Sequence, residues 1–224
     1  MDSPVSLEVT IRQGNLTLNG NLGLPAVPQG VIMFAHGSGS GRFSPRNQSV
    51  ARRLEEEGFA TLLLDLLTPE ESDDRRNIFD IDLLADRVLF AQDWLRSDPR
   101  TIELRIGCFG ASTGAGAALQ AAARSPQNTS AVVSRGGRPD LARSYLSQVR
   151  APTLLLVGGN DGPVIEMNRE ALEQLACPKE LLIIPGATHL FEEPGALEQV
   201  ADQAVRWFRR HLPSLKNETK HRLP

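Results

Sequence analysis

Residues 104–119, Leu-Arg-Ile-Gly-Cys-Phe-Gly-Ala-Ser-Thr-Gly-Ala-Gly-Ala-Ala-Leu, are the stretch whose reading decides the fold. Leu104 to Phe109 reads as a buried strand. Ala115 to Ala123 is alanine-rich and reads as the start of a helix. Between them Gly110-Ala111-Ser112-Thr113-Gly114 matches G-x-S-x-G at every fixed position. Strand, sharp turn and helix form the context in which this pattern lifts a serine into strained backbone geometry. Small residues must flank such a serine where strand and helix nearly touch, and Gly110, Ala111, Gly114 and Gly116 do so. The five residues alone would equally describe a glycine-rich turn with an incidental serine. The strand before and the helix after favour the elbow.

Outward from this turn, apolar runs alternate with helical patterns. Before it, Val5 to Arg12 and Leu16 to Leu24 read as a hairpin joined at Gln13-Gly14-Asn15. Gly30 to Ala35 is apolar on both faces, as a covered central strand should be. It ends in His36-Gly37-Ser38-Gly39-Ser40-Gly41. Ser44-Pro45 opens a helix with stripe residues Val50, Ala51 and Leu54, closed by Gly58. Ala60 to Leu67 is the next strand, followed by an acid-rich loop from Thr68 to Arg76. A long helix carries Ile81, Leu84, Ala85, Val88 and Leu95.

After the elbow helix come a strand at Ala131 to Ser134 and a helix ending near Val149. Pro152 to Val157 is a further strand, closed by Gly158-Gly159-Asn160-Asp161. A helix through Met167, Ala171, Leu172 and Leu175 leads to a last strand at Glu180 to Ile184. Gly186-Ala187-Thr188-His189 follows. The closing helix repeats Leu197, Val200, Ala201, Ala204, Val205 and Phe208 at a period near 3.6. These elements predict an α/β domain over residues 1–212, with a mostly parallel sheet of about eight strands covered by helices on both faces. Residues 213–224 read as a polar, mobile tail.

With 224 residues, 41% hydrophobic and 23% charged, the composition is that of an ordinary globular domain. A net charge of −3 gives no electrostatic case for nucleic acid or an anionic membrane. The first residues show neither the basic nor the apolar region of a signal peptide, and no apolar run reaches the length of a membrane span. A cytoplasmic location is the expectation. The two cysteines, Cys108 and Cys177, lack metal-ligand spacing, and the histidines are scattered. Neither a metal nor a cofactor is expected.

In an open α/β sheet, ligands bind at the carboxyl ends of the strands. A serine there needs a base to take its proton, and a histidine held by a carboxylate supplies one. Of the four histidines, His211 and His221 lie at or beyond the closing helix. His36 occupies a loop better suited to anion stabilisation. His189 follows the last strand and is the candidate base. Asp161, Asp65 and Asp140 are candidate carboxylates at the same end of the sheet. An oxyanion hole needs two backbone N–H groups. Thr113, directly after the serine, offers one; Ser38, or else Gly39, offers the other.

The motifs HGSGSG, GASTG, GGND and GATH, in this order, resemble those of the α/β-hydrolase superfamily, and most closely small proteins like dienelactone hydrolase. The resemblance covers residues 5 to 212. Its chain order of Ser, Asp, His selects Ser112, Asp161 and His189 as the triad. Dienelactone hydrolase itself uses a cysteine nucleophile, where this chain has Ser112, so the resemblance supports the scaffold more than the lactone substrate. Only about twenty residues separate Ser134 from Pro152, where many relatives insert a lid. An open, lidless site acting on a small ester or lactone is what the resemblance implies.

Two other classes compete. A nicotinamide-dependent oxidoreductase would use a glycine-rich loop after a strand, but its third fingerprint glycine falls on Arg42. Tyr145 is followed four residues on by Val149, not lysine. A non-catalytic binding or assembly domain of the same fold is the other reading. Four arginines also stand near the expected site: Arg42 and Arg46 after the oxyanion loop, and Arg135 and Arg138 after the Ser134 strand. They are candidates to anchor an anionic group of the substrate. The alternative places Arg46 on a helix face and pairs Arg138 with Asp140.

Overall fold

The computed structural model describes residues 4–212; the tail expected over 213–224, with His221, lies outside the described residues. The sheet has eight strands: β1 Val5–Gln13, β2 Leu16–Leu24, β3 Val31–Ala35, β4 Ala60–Leu64, β5 Ile106–Ala111, β6 Ala131–Arg135, β7 Thr153–Gly158 and β8 Lys179–Ile184. Their order across the sheet is β1-β2-β4-β3-β5-β6-β7-β8. The hairpin β1–β2 and its junction with β4 are antiparallel, and every other pairing is parallel. The strands β3, β4, β5, β6 and β7 are buried along their whole length. Strands covered on both faces carry continuous apolar runs, which is why these segments do not alternate.

Among the described residues, seven α-helices accompany the sheet: α1 Pro45–Glu56, α2 Pro69–Ser72, α3 Arg75–Ile78, α4 Ile81–Leu95, α5 Thr113–Arg124, α6 Gly162–Gln174 and α7 Ala196–His211. One face of the sheet is covered by α1 and α7, whose Val50, Leu54, Val200 and Phe208 pack with Phe34 and Phe109. The other face carries α4, α5 and α6, with Val88, Leu119 and Ala171 in one continuous core. The Ser44 hydroxyl caps α1 by accepting from Asn47 N–H, with Pro45 at the first helical position.

Two segments differ from the reading of the chain. The acid-rich stretch after β4 contains the short helices α2 and α3, not a plain loop. Thr68 and Glu71 form a reciprocal capping box at the start of α2. Between β6 and β7, Pro139–Gln148 is a 3₁₀ helix kinked at Ala142. This short connection packs against α5 and α6, and no lid is inserted there. Among the described residues, no helix is long and apolar enough to cross a membrane.

Candidate active site

Ser112 is the hinge between β5 and α5, with φ +50° and ψ −121°. A positive φ is costly for a residue with a Cβ and persists only where the surroundings impose it. Here they do. Ser112 N–H donates to the Arg135 carbonyl at 3.2 Å, and its own carbonyl accepts from Arg138 N–H at 3.0 Å. The motif glycines allow the crossing. A Cβ on Gly110 would lie 2.4 Å from Ala115 Cα, and one on Gly114 would lie 2.2 Å from the Ala35 carbonyl oxygen. Any side chain at either position would force strand and helix apart.

The loop after β3 lies against this elbow, for a Cβ on Gly37 would stand 3.0 Å from Ser112 Cβ. Gly39 takes φ +67°, and Ser40 N–H closes the turn onto the Gly37 carbonyl at 3.2 Å. Thr113 opens α5, so its N–H belongs to the first turn, whose donors have no partner within the helix. The structure thus brings the Ser38-Gly39 loop and the Thr113 helix start together beside Ser112.

His189 and Asp161 meet at the other side. His189 Nδ1–H donates to Asp161 Oδ2 at 2.7 Å, between residues 28 positions apart. Asp161 stands at the N-cap position of α6, yet its side chain caps no helical N–H. Its carboxylate is turned to the imidazole instead. The two loops are tied together by Asn160 N–H on the Ala187 carbonyl at 2.9 Å and Asn160 Nδ2 on the Gly186 carbonyl at 2.8 Å. The rival carboxylates are engaged elsewhere. Asp65 accepts from Arg42 N–H at 2.7 Å and faces Arg42 Nη1 at 3.3 Å. Asp140 takes Arg138 in a two-point pair at 2.9 and 2.8 Å.

His36 is committed to structure. Its Nδ1–H donates to the Gly37 carbonyl at 2.9 Å, and its Nε2 accepts from Leu66 N–H at 3.0 Å. Burial holds its pKa below that of a free imidazole, so the ring stays neutral as it bridges the β3 and β4 loops. Cys108, in the elbow strand, is fully buried against Gln92, and burial pushes its thiol up to about 11. Such a thiol is inert as a nucleophile.

Two cavities flank the elbow. One, of about 170 Å³, is lined by Ser112, His189, Ser38, Leu190, Arg46 and Arg135. The other, of about 220 Å³, is lined by Ser38, Gly39, Thr113, Leu67, Ile78 and Leu84. Reading the sequence missed Leu67, Ile78 and Leu84 as site residues, because their apolar character and spacing are those of ordinary core positions. It also missed Leu190, whose only signal is adjacency to His189. The four arginines divide. Arg42 and Arg138 are held by Asp65 and Asp140, whereas Arg46 and Arg135 line the cavity that holds Ser112.

A sheet in this order, with a strained serine at the strand-to-helix turn and no lid, defines an α/β hydrolase. The chain belongs to the dienelactone hydrolase family, whose model matches residues 18–218. It is similar to a dienelactone hydrolase from Anabaena variabilis, at 56% identity and a TM-score of 0.91 over 94% of this chain and 100% of that one. A lidless α/β serine hydrolase of Xanthomonas campestris shares the fold, at 23% identity and a TM-score of 0.76 over 93% and 96% of the two chains. A protein of Mycobacterium tuberculosis with the name "Putative phosphoribosyl transferase" is 56% identical over 205 residues, which are 92% of this chain and 46% of that protein. The chain therefore spans about half the length of this mycobacterial relative.

Proposed function

We propose that this chain hydrolyses a small carboxylic ester or lactone through Ser112, His189 and Asp161, by way of an acyl-enzyme. The observation that carries this reading is the 2.7 Å bond from His189 Nδ1–H to Asp161, with Ser112 and His189 lining one cavity. That bond fixes the tautomer in which Nε2 is free to accept a proton. Ser112 Oγ attacks the ester carbonyl carbon while His189 Nε2 takes the hydroxyl proton. The carbonyl oxygen gains the electron pair and is met by the N–H groups of Thr113 and Ser38 or Gly39. The C–O bond to the alcohol then breaks, and His189 returns the proton to the leaving oxygen. Water repeats the sequence on the acyl-enzyme, releasing the acid and restoring Ser112. No step calls on a metal or a cofactor.

The Anabaena relative's name supports an ester or lactone as the bond cleaved. The name of the mycobacterial relative raises phosphoribosyl transfer, but it applies to a protein of which this chain matches 46%. We assign acyl transfer to this chain, because the strained serine and the His–Asp pair serve that chemistry. A serine-directed fluorophosphonate tests the assignment. It should label wild type at Ser112 alone, and Ser112→Ala should neither label nor turn over p-nitrophenyl acetate. A chain that never labels is the non-catalytic domain instead.

A further inference from the structure

The proton path gives the two cavities different roles. His189 delivers its proton to the leaving oxygen, so the alcohol portion of the ester must stand on the His189 side of Ser112. The acyl group then extends the other way, past the oxyanion loop. The cavity on that far side has walls of Leu67, Ile78 and Leu84, which suits a small apolar acyl chain. The cavity on the His189 side contains two cations.

Arg135 is the unusual one. It ends β6, its residue is 9% exposed, and its Nη1 is buried with no hydrogen-bond partner among the described residues. A buried guanidinium without a counter-charge weakens a fold. Neither the elbow nor the triad uses this side chain, since Ser112 bonds only the Arg135 backbone carbonyl. Burial and then the neighbouring charge of Arg46 lower the Arg135 pKa to about 10, which leaves it cationic at neutral pH. Arg46 shares one Nη1 bond with the exposed Glu192, while its own Nε is buried without a hydrogen-bond partner among the described residues. Two repelling cations on one cavity wall are matched by a dianion better than by a single negative charge. A phosphate monoester carries about −1.5 to −2 at pH 7 and several strong acceptor oxygens.

We propose that Arg135, assisted by Arg46, binds a phosphate group on the alcohol portion of the substrate. The substrate class is then an ester between a small apolar acid and a phosphorylated alcohol. Hydrolysis adds water across the ester bond and releases the acid and the phosphorylated alcohol, with the phosphate untouched. This proposal rests on the ester-hydrolase reading above.

The test compares 2-acetoxyethyl phosphate, its neutral dimethyl ester, 3-acetoxypropionate and monoethyl succinate, the last carrying its charge on the acyl side. Wild type should prefer 2-acetoxyethyl phosphate over each of the others by about tenfold or more in kcat/KM. Arg135→Met should cost the phosphate ester roughly 10- to 100-fold, at least ten times its effect on the neutral ester. Inorganic phosphate should raise the melting temperature of wild type and not of Arg135→Met. If Arg135→Met does not fold, Arg46→Ala carries the comparison, with a smaller selective loss on the phosphate ester. Equal losses on charged and neutral esters overturn the proposal. So does a preference for 3-acetoxypropionate or for monoethyl succinate. In each of those outcomes Ser112 still labels and the neutral ester is still cleaved. A failure of the hydrolase reading looks different, because then Ser112 does not label and no ester is cleaved.

Discussion

The loops after β3 and β8 each present a histidine near the carboxyl end of a strand, and the two are put to opposite use. His36 is buried and spends both ring nitrogens on backbone groups, Gly37 and Leu66. His189 is partly exposed and spends one nitrogen on Asp161. The same side chain is a brace in one loop and a candidate base in the other. The difference lies in what each ring nitrogen faces. The contrast extends to the two walls of the site: the β3 side offers backbone N–H groups, and the β7–β8 side offers titratable side chains. Replacements should therefore be severe on one wall and mild on the other, unless they alter backbone.

The largest effect is expected at the serine between the walls. Ser112→Ala should lower kcat by roughly 10⁴-fold or more, as loss of a triad nucleophile does elsewhere. On the side-chain wall, Asp161→Asn should lower kcat by about 10³- to 10⁴-fold with an unchanged circular dichroism spectrum. Asp65→Asn should leave kcat within about threefold, because Asp65 is held by Arg42 and not by His189. A dead Asp65→Asn beside an active Asp161→Asn would reverse the assignment of the acid.

On the backbone wall, Ser38→Pro removes an N–H and should cost about 10²- to 10³-fold in kcat. Ser38→Ala keeps that N–H and should cost less than about fivefold. Steady-state kinetics on one neutral ester separates the pair. Equal losses would mean that the Ser38 hydroxyl, not the backbone, is what acts.

His36 gives a stability prediction. Its native pKa lies below the 6.5 of a free imidazole because the ring is buried. Between 6.5 and that lower value the unfolded chain binds a proton that the native chain does not. His36 therefore contributes stability that is present above pH 6.5 and is lost as pH falls through the native value. Urea unfolding should show a steeper loss of stability over this range in wild type than in His36→Asn. Equal slopes would show that His36 is not the group responsible.

The smallest effect on stability belongs to the exposed ion pair of Arg46, a residue that lines the Ser112 cavity. Arg46→Gln breaks the exposed ion pair with Glu192 and should change the unfolding free energy by less than about 1 kcal/mol.

Much of this architecture was legible in the chain. The covered strands announced themselves as apolar runs, α1 by its Ser44-Pro45 start, and α7 by a stripe recurring every turn. Two pieces were not. Helix α2 is four residues long, too short to display a period, although Thr68 and Glu71 carried its capping signature. The Pro139–Gln148 segment looks helical in sequence, but it winds as a 3₁₀ helix with a kink at Ala142 and packs against α5 and α6, contacts that a local reading of the chain does not contain. At the site, the strained serine was legible because elbow geometry depends on near neighbours, and its glycines stand within two residues of it. The pair of Arg138 with Asp140, two residues apart, was also legible, whereas the long-range partners of Asp65 and Asp161 did not follow from the residues themselves. Three aspartates stand at the same end of the sheet, and only the resemblance in chain order chose among them.

The sequence by itself determined the elements, their alternation and the serine turn, since these follow from periodicities and contacts a few residues long. The tertiary structure alone decided that Arg42 lies against Asp65, that Asp161 lies against His189, and that Arg135 Nη1 is buried without a hydrogen-bond partner among the described residues. The first two pairings join residues 23 and 28 positions apart. They exist because a parallel sheet carries the ends of distant strands to one edge. There the nearest opposite charge, not the nearest residue in the chain, sets what each group does.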